Sequence, residues 1–252
     1  MSSVTHIVSQ TKQPRGGYLN PKDLECVQLS INEELTDMTF ESVSPDIIGT
    51  VVDYMTRFMI NRNLDKAFMI ARLGARIVGF EDYFQGLLEE IKGLDDKSLF
   101  KAVKCASFDS VYRAGILAYR NVEEINPDEK TIRNIRILIE RSLTFFKEYG
   151  PVISDGFTFE GGYTNKIDSG DGDFLTNDTL WDFKVSKHEP NTKHTLQLLV
   201  YYLMGKKSGK RTFKHIHRIG LYNPRLNKVY FYEISKIDSG ILKTIEKDVI
   251  GY

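Results

Sequence analysis

The residues of this chain best suited to chemistry are Asp173, Asp182 and Lys184. They lie in one short stretch: Gly170-Asp171-Gly172-Asp173-Phe174-Leu175, then Asn177-Asp178, then Trp181-Asp182-Phe183-Lys184-Val185-Ser186. The pattern predicts two strands joined by a two-residue Asn177-Asp178 turn. That turn sets Thr176 against Thr179, Leu175 against Leu180 and Phe174 against Trp181. Asp173 then lies opposite Asp182, and Asp171 opposite Lys184, with opposed Cβ atoms about 5 Å apart. Side chains alternate along a strand, so Asp173, Asp182 and Lys184 share one face. Trp181, Phe183 and Val185 share the other and are expected in the core. Two opposed carboxylates repel unless a cation lies between them. Oxygen donors of this kind suit magnesium or manganese, and Lys184 would stand beside such an ion. The competing explanation is the charged, solvated face of an ordinary hairpin, because Asp-x-Lys alone is too short to decide.

A second chemical pair follows on a helix. Thr192 to Gly205 reads as a helix with a mostly apolar surface, stopped by Gly205. Gln197 and Tyr201 are four apart and share a face, with His194 one turn earlier. A glutamine among Leu196, Leu198, Leu199 and Val200 is costly to bury without partners. The alternative is that Gln197 faces solvent while Tyr201 packs in the core. Beyond the helix come Lys206, Lys207, Lys210, Arg211, Lys214 and Arg218. From Phe183 to Arg218 there are nine Lys or Arg against one acid, Glu189. Such a run can hold phosphates locally, or can simply be a solvated loop.

In order and spacing, Gly170 and Asp173, Asp182 to Ser186, then Gln197 and Tyr201 resemble the RecB-like branch of the PD-(D/E)XK nuclease superfamily. The resemblance covers roughly residues 157–234 and extends to the helix near Gly49. It implies a restriction-endonuclease-like core and a Mg2+- or Mn2+-dependent nuclease that hydrolyses phosphodiester bonds, with DNA the expected partner. Repair, restriction or conflict between a mobile element and its host would be its setting. It assigns the metal to Asp173, Asp182 and the carbonyl of Phe183. Asp53 would complete that set: this branch carries Gly-x-x-x-His upstream, and here Gly49-Thr50-Val51-Val52-Asp53 places aspartate at the histidine position. Aspartate is itself a ligand for a hard cation; an exposed helix acid is the other explanation. Lys184 would orient or activate water and offset developing charge. Gln197 would brace the metal site, and Tyr201 the substrate backbone or its own helix. Pairing of Lys184 with Asp171 would instead make the lysine structural.

Composition narrows the alternatives. The chain has 252 residues, 41% of them hydrophobic, enough for a substantial core. Lys+Arg and Asp+Glu are both 34, so no global basic signature points to nucleic acid. Cys26 and Cys105 form no Cys-x-x-Cys pair, which argues against zinc and a disulfide framework. The four cysteines of an iron–sulfur cluster are not available. No signal-peptide pattern and no long apolar run are present, so a cytoplasmic protein without a membrane partner is expected. Two further classes stay open. One is a catalytically inactive nuclease-fold module that binds nucleic acid or a protein partner. The other is a calcium loop built from Asp168, Asp171, Asp173 and Asp178, although the EF-hand glycine and glutamate positions are missing.

These residues must be positioned by the rest of the chain. Residues 1–44 are polar and turn-rich and read as an N-terminal arm. Residues 45–252 read as a single nuclease-like domain. Ser44-Pro45 is a helix start, followed by Ile47, Ile48, Val51, Val52 and Met55 at helical spacing. Further helices are predicted over about 64–79, 81–92, 96–105, 109–120 and 128–148, forming a helical insertion over about 64–148. An α/β core over about 151–235 holds strands at 157–163, the hairpin, 216–222 and 228–234. A short helix begins near Ser239. The expected fold is α+β: a mixed β-sheet of four or five strands flanked by helices, with a large helical N-terminal part.

Overall fold

The computed structural model of the chain describes residues 2–30 and 33–252. Two compact units divide it. One combines the segment ending at Ser30 with Phe146–Tyr252, and the other is the intervening stretch ending at Phe145. In chain order the first unit opens with helix α1 (Val4–Gln10) and strand β1 (Glu25–Gln28). The helical unit holds α2 (Pro45–Asn61), α3 (Leu64–Ala67), α4 (Met69–Ile77), α5 (Glu81–Glu89), α6 (Asp96–Ala106) and α7 (Asp109–Ala114). The boundary between the units falls inside α8 (Glu129–Tyr149). Strands β2 (Ser154–Thr158), β3 (Asp171–Leu175) and β4 (Thr179–Phe183) follow, then α9 (Thr192–Lys207), β5 (Arg218–Asn223), β6 (Lys228–Glu233) and α10 (Ser239–Thr244). Among the described residues no helix is long and apolar enough to cross a membrane.

The helical unit follows its apolar stripes. Pro45 opens α2, and Ile48, Val51, Val52 and Met55 are fully buried along it. The helix expected over 64–79 breaks at Phe68, whose buried ring meets Tyr54 edge-on at 5.1 Å. The helix expected over 109–120 stops at Ala114, because Gly115 turns to φ 88°. Inside this unit the Tyr54 hydroxyl donates to Asp109, which also accepts from Arg113 at 2.9 Å. That satisfies a buried acid.

The mixed unit is built on one six-stranded sheet in the order β1-β6-β5-β4-β3-β2. Only β4 and β5 run parallel; every other neighbour pair is antiparallel. The sheet therefore exceeds the expected four or five strands. The extra strand, β1, comes from the segment read as a polar arm. Its four residues are all exposed, and it pairs only with β6, so no buried alternation marks it in the sequence. The first predicted core strand also shifts, from 157–163 to Ser154–Thr158.

Alternation decides what each face of the sheet receives. Leu175 and Leu180 face the side on which α9 packs against β4 and β5, within the core that holds Leu196, Leu199 and Ile219. Phe174, Trp181 and Phe183 point the other way. There the end of α8 closes over them: Phe146 stacks on Phe183 at 5.4 Å and meets Phe174 at 4.7 Å, while Tyr149 packs edge-on to Trp181. Asp173 and Asp182 have the parity of Leu175 and Leu180, which directs them to the α9 side.

Candidate active site

The hairpin forms in the predicted register. Phe174 pairs with Trp181, Leu175 with Leu180, and the Thr176 amide donates to the Thr179 carbonyl at 3.0 Å. The ladder then goes no further. In an antiparallel pair, hydrogen-bonded rungs recur every second residue, so the next Phe183 bond would go to Gly172. Instead the Phe183 amide donates to Oδ2 of Asp173 at 2.8 Å. The carboxylate of Asp173 thus takes over a rung of the sheet, and the two strands part at the candidate acids. Beyond this point β4 leans on β5, where the Lys184 amide donates to the Tyr222 carbonyl at 3.0 Å.

Asp182 is 2% exposed. Its Oδ2 lies 2.6 Å from Lys184 Nζ, an ion pair without hydrogen-bond alignment. Lys184 is therefore paired along its own strand with Asp182. Asp171, the partner considered for it, is exposed and sits across from Thr158 on β2.

Helix α9 carries the second pair of residues on the side of the sheet that the acids face. Gln197, only 9% exposed, donates from Nε2 to the Tyr201 hydroxyl at 2.8 Å. Gln197 thus faces inward with a partner, as an internal amide requires. The Tyr201 hydroxyl is held well above its usual pKa, first by burial and then by the negative charges of Asp182 and Asp173. Both strand acids therefore act on the residue that Gln197 holds. The helix itself starts at an Asn191 cap and runs past Gly205 to Lys207. Gly205 is not its stop: a Cβ there would lie 2.2 Å from the Phe213 ring, so the glycine makes room for that ring. The turn out of the helix falls to Gly209, at φ 69°.

No known family model, curated protein or solved structure matches the chain.

As a cation site, the donor set consists of two carboxylates on neighbouring strands with the Phe183 carbonyl at the end of β4. Among the described residues no three His, Cys, Asp or Glu side chains gather into a metal-holding group. Two acids still fit magnesium, which commonly takes one or two carboxylates and keeps its remaining water. Asp53 lies on α2 in the helical unit, where both its oxygens accept from Arg57 Nε at 2.9 and 3.0 Å. The four acids of the calcium-loop alternative do not gather. Asp178 sits at the turn end of the hairpin, bound to Arg218 at 2.7 Å, roughly 15 Å along the strand from Asp173.

The basic run divides into tethered and available cations. Lys206 Nζ donates to the carbonyls of Phe213 and Lys214, and Lys210 Nζ to that of Thr158 at 3.0 Å. Lys207 lies over the Tyr252 ring, and Arg218 is tied to Asp178 and Thr179. The side chains of Arg211 and Lys214 have no protein partner among the described residues. Lys206, Lys210, Arg211 and Lys214 border an open depression of about 230 Å³ past the end of α9.

Asn223 and Glu189 hold the segment that follows Lys184. Asn223, 3% exposed, accepts from the Ser186 amide and donates to its carbonyl at 2.7 Å, pinning the segment just after Lys184. Glu189 fastens the same segment to β6 by accepting from Lys228 at 2.7 Å and from the Tyr230 hydroxyl. In the sequence, Asn223-Pro224 carries only the signal of a turn.

Proposed function

We propose that this chain is a Mg2+- or Mn2+-dependent nuclease with a restriction-endonuclease-like core that hydrolyses phosphodiester bonds of DNA. One observation carries the reading. The buried Tyr201 hydroxyl, which accepts from Gln197 on α9, is near enough to Asp182 and Asp173 for their charges to raise its pKa, and Lys184 is ion-paired with Asp182.

Asp173, Asp182 and the Phe183 carbonyl would hold the cation. When bound, the ion polarises the phosphate and makes water a better nucleophile near neutral pH. Lys184 orients the attacking water and offsets the negative charge that develops on the phosphate. Its ion pair with Asp182 fixes the ammonium before substrate arrives. Gln197 and Tyr201 brace the helix side of the site. Arg211 and Lys214 supply the phosphate contacts farther along the strand, because Lys206 and Lys210 are already committed to carbonyls and Lys207 to the Tyr252 ring.

The reading is tested by incubating linear, circular and single-stranded DNA, and RNA, with Mg2+ and Mn2+, beside Lys184→Ala and Asp182→Asn. Wild type cuts DNA and both variants lose at least about a hundredfold, the usual scale for losing a charge-stabilising group. Equal cleavage by wild type and Lys184→Ala would refute it.

A second reading is favoured by the same bonds. Asp173 already replaces a sheet rung and Asp182 already has an ammonium partner, so both acids have structural work in the absence of a cation. A nuclease-fold module that binds nucleic acid or a protein without cutting would need no more. Calorimetric titration with Mn2+ separates the two, since the inactive module shows no heat that Asp182→Asn removes.

A further inference from the structure

His194 is built into the start of α9 in a way that leaves one side of its ring to a ligand. The Asn191 side chain accepts the amides of Lys193 and His194, and His194 Nδ1 accepts the Asn191 amide at 3.3 Å. This closes a reciprocal cap, in which Glu or Gln more commonly holds the His194 position. A ring nitrogen that accepts carries no proton, so the neutral imidazole has its hydrogen on Nε2. Burial, followed by the positive charge of Lys184, pushes the pKa down to about 4, which keeps the ring neutral at physiological pH. Nε2 has no protein partner among the described residues. The ring borders a narrow notch together with Lys184, Asn223 and Tyr230. It stands on the helix face of Gln197 and Tyr201, one turn nearer the helix start. A cap requires only an acceptor; histidine adds a donor on its opposite edge, in a notch that Lys184 also lines.

A neutral N–H beside a positive charge matches a phosphate oxygen. We propose that His194 is a substrate-contacting residue, donating Nε2–H to a non-bridging oxygen of the phosphodiester strand that lies beside Lys184. This rests on the nuclease reading.

The test uses the full chain and two variants that keep an acceptor at the capping position, His194→Gln and His194→Glu. Melting temperatures check that the cap survives. Binding of a labelled 20-mer DNA, single-stranded and duplex, is measured in EDTA, and cleavage is measured in Mn2+. Both variants should melt close to wild type. DNA binding should weaken about tenfold for Gln, the scale of one hydrogen bond to a charged group, and further for Glu, whose charge faces the phosphate. In 15N-histidine spectra of wild type at pH 7, His194 should show the Nε2–H tautomer, and that proton should shift on DNA addition. If wild type binds and cuts while both variants match it, His194 is only a cap: the inference falls and the nuclease reading stands. An Nε2–H resonance that DNA leaves in place overturns it equally, even if the variants fold poorly. Wild type that neither binds nor cuts any DNA overturns the nuclease reading, and this contact with it.

Discussion

Replacing Asp173 in two ways separates its structural role from its chemical one. Its Oδ2 takes the amide of Phe183, a residue only 8% exposed, where a sheet rung would otherwise stand. Asp173→Ala strands that amide, which costs about 1–3 kcal/mol. At roughly 3–4 °C per kcal/mol for a unit of this size, the melting transition that includes the sheet should fall by roughly 3–12 °C. Asp173→Asn keeps an oxygen acceptor and removes the negative charge. Without a cation it also relieves the repulsion from Asp182, so its melting temperature in EDTA should stay within about 2 °C of wild type. Both variants should lose cleavage by at least about a hundredfold, because the cation loses half of its carboxylate charge. The assays are thermal melts in EDTA, Mn2+ calorimetry and DNA cleavage on the same preparations. An Asn variant that cuts near the wild-type rate would refute the metal role. An Ala variant as stable as the Asn variant would refute the rung.

Three other outcomes follow from the same geometry. Gln197→Leu removes the donor to Tyr201 and should cut cleavage at least about tenfold while leaving the fold assembled, as circular dichroism would show; undiminished cleavage would detach Gln197 from the chemistry. Arg211→Ser with Lys214→Ser should flatten the salt dependence of DNA affinity by about two counterions, whereas Arg218→Met should leave the slope unchanged; the reverse ranking in salt-titrated binding would reassign the grip. Asp178 is also linked to pH: burial would raise its pKa, but bonds from Thr179 and Arg218 outweigh this and hold it below the ordinary carboxylate range. A depressed folded-state pKa gives stability that is present above about 3.9, its unfolded value, and is lost as pH falls through the folded value. Arg218→Met should therefore melt below wild type at pH 7, and the gap should close on acidification below that range.

The hairpin was legible because a two-residue turn and a period of two leave its register no freedom at Phe174 and Leu175. The inward face of α9 was legible because an amide four residues from a tyrosine on an apolar helix needs a partner. The strand at Glu25–Gln28 was not, since its partners lie about 200 residues away and its side chains carry no burial pattern. Gly205 misled for a related reason. A glycine within a run of apolar residues reads as a stop, and only the Phe213 ring, eight residues on, explains it as a packing site. The same blindness to long-range partners hid the grip of Asn223 on Ser186, whereas Asp182, an ion-pair partner of Lys184, lies two residues away on the face that alternation gives them both.

The discontinuity of the sheet unit has a consequence for the order of assembly. Gln28 bonds to the carbonyl of Asn227, 199 residues away, and the helical unit lies wholly within that interval. Closing so long a loop is entropically costly, but the cost grows only with the logarithm of the flexible length. If the helical unit is already folded, the flexible part shrinks to about 85 residues, and closure becomes cheaper by roughly 0.8 kcal/mol. During synthesis the helical unit is complete long before β6 leaves the ribosome, so β1 must wait as an unpaired edge while its partner is made. Its short length and the charge of Glu25 suit a strand that has to wait without recruiting another chain.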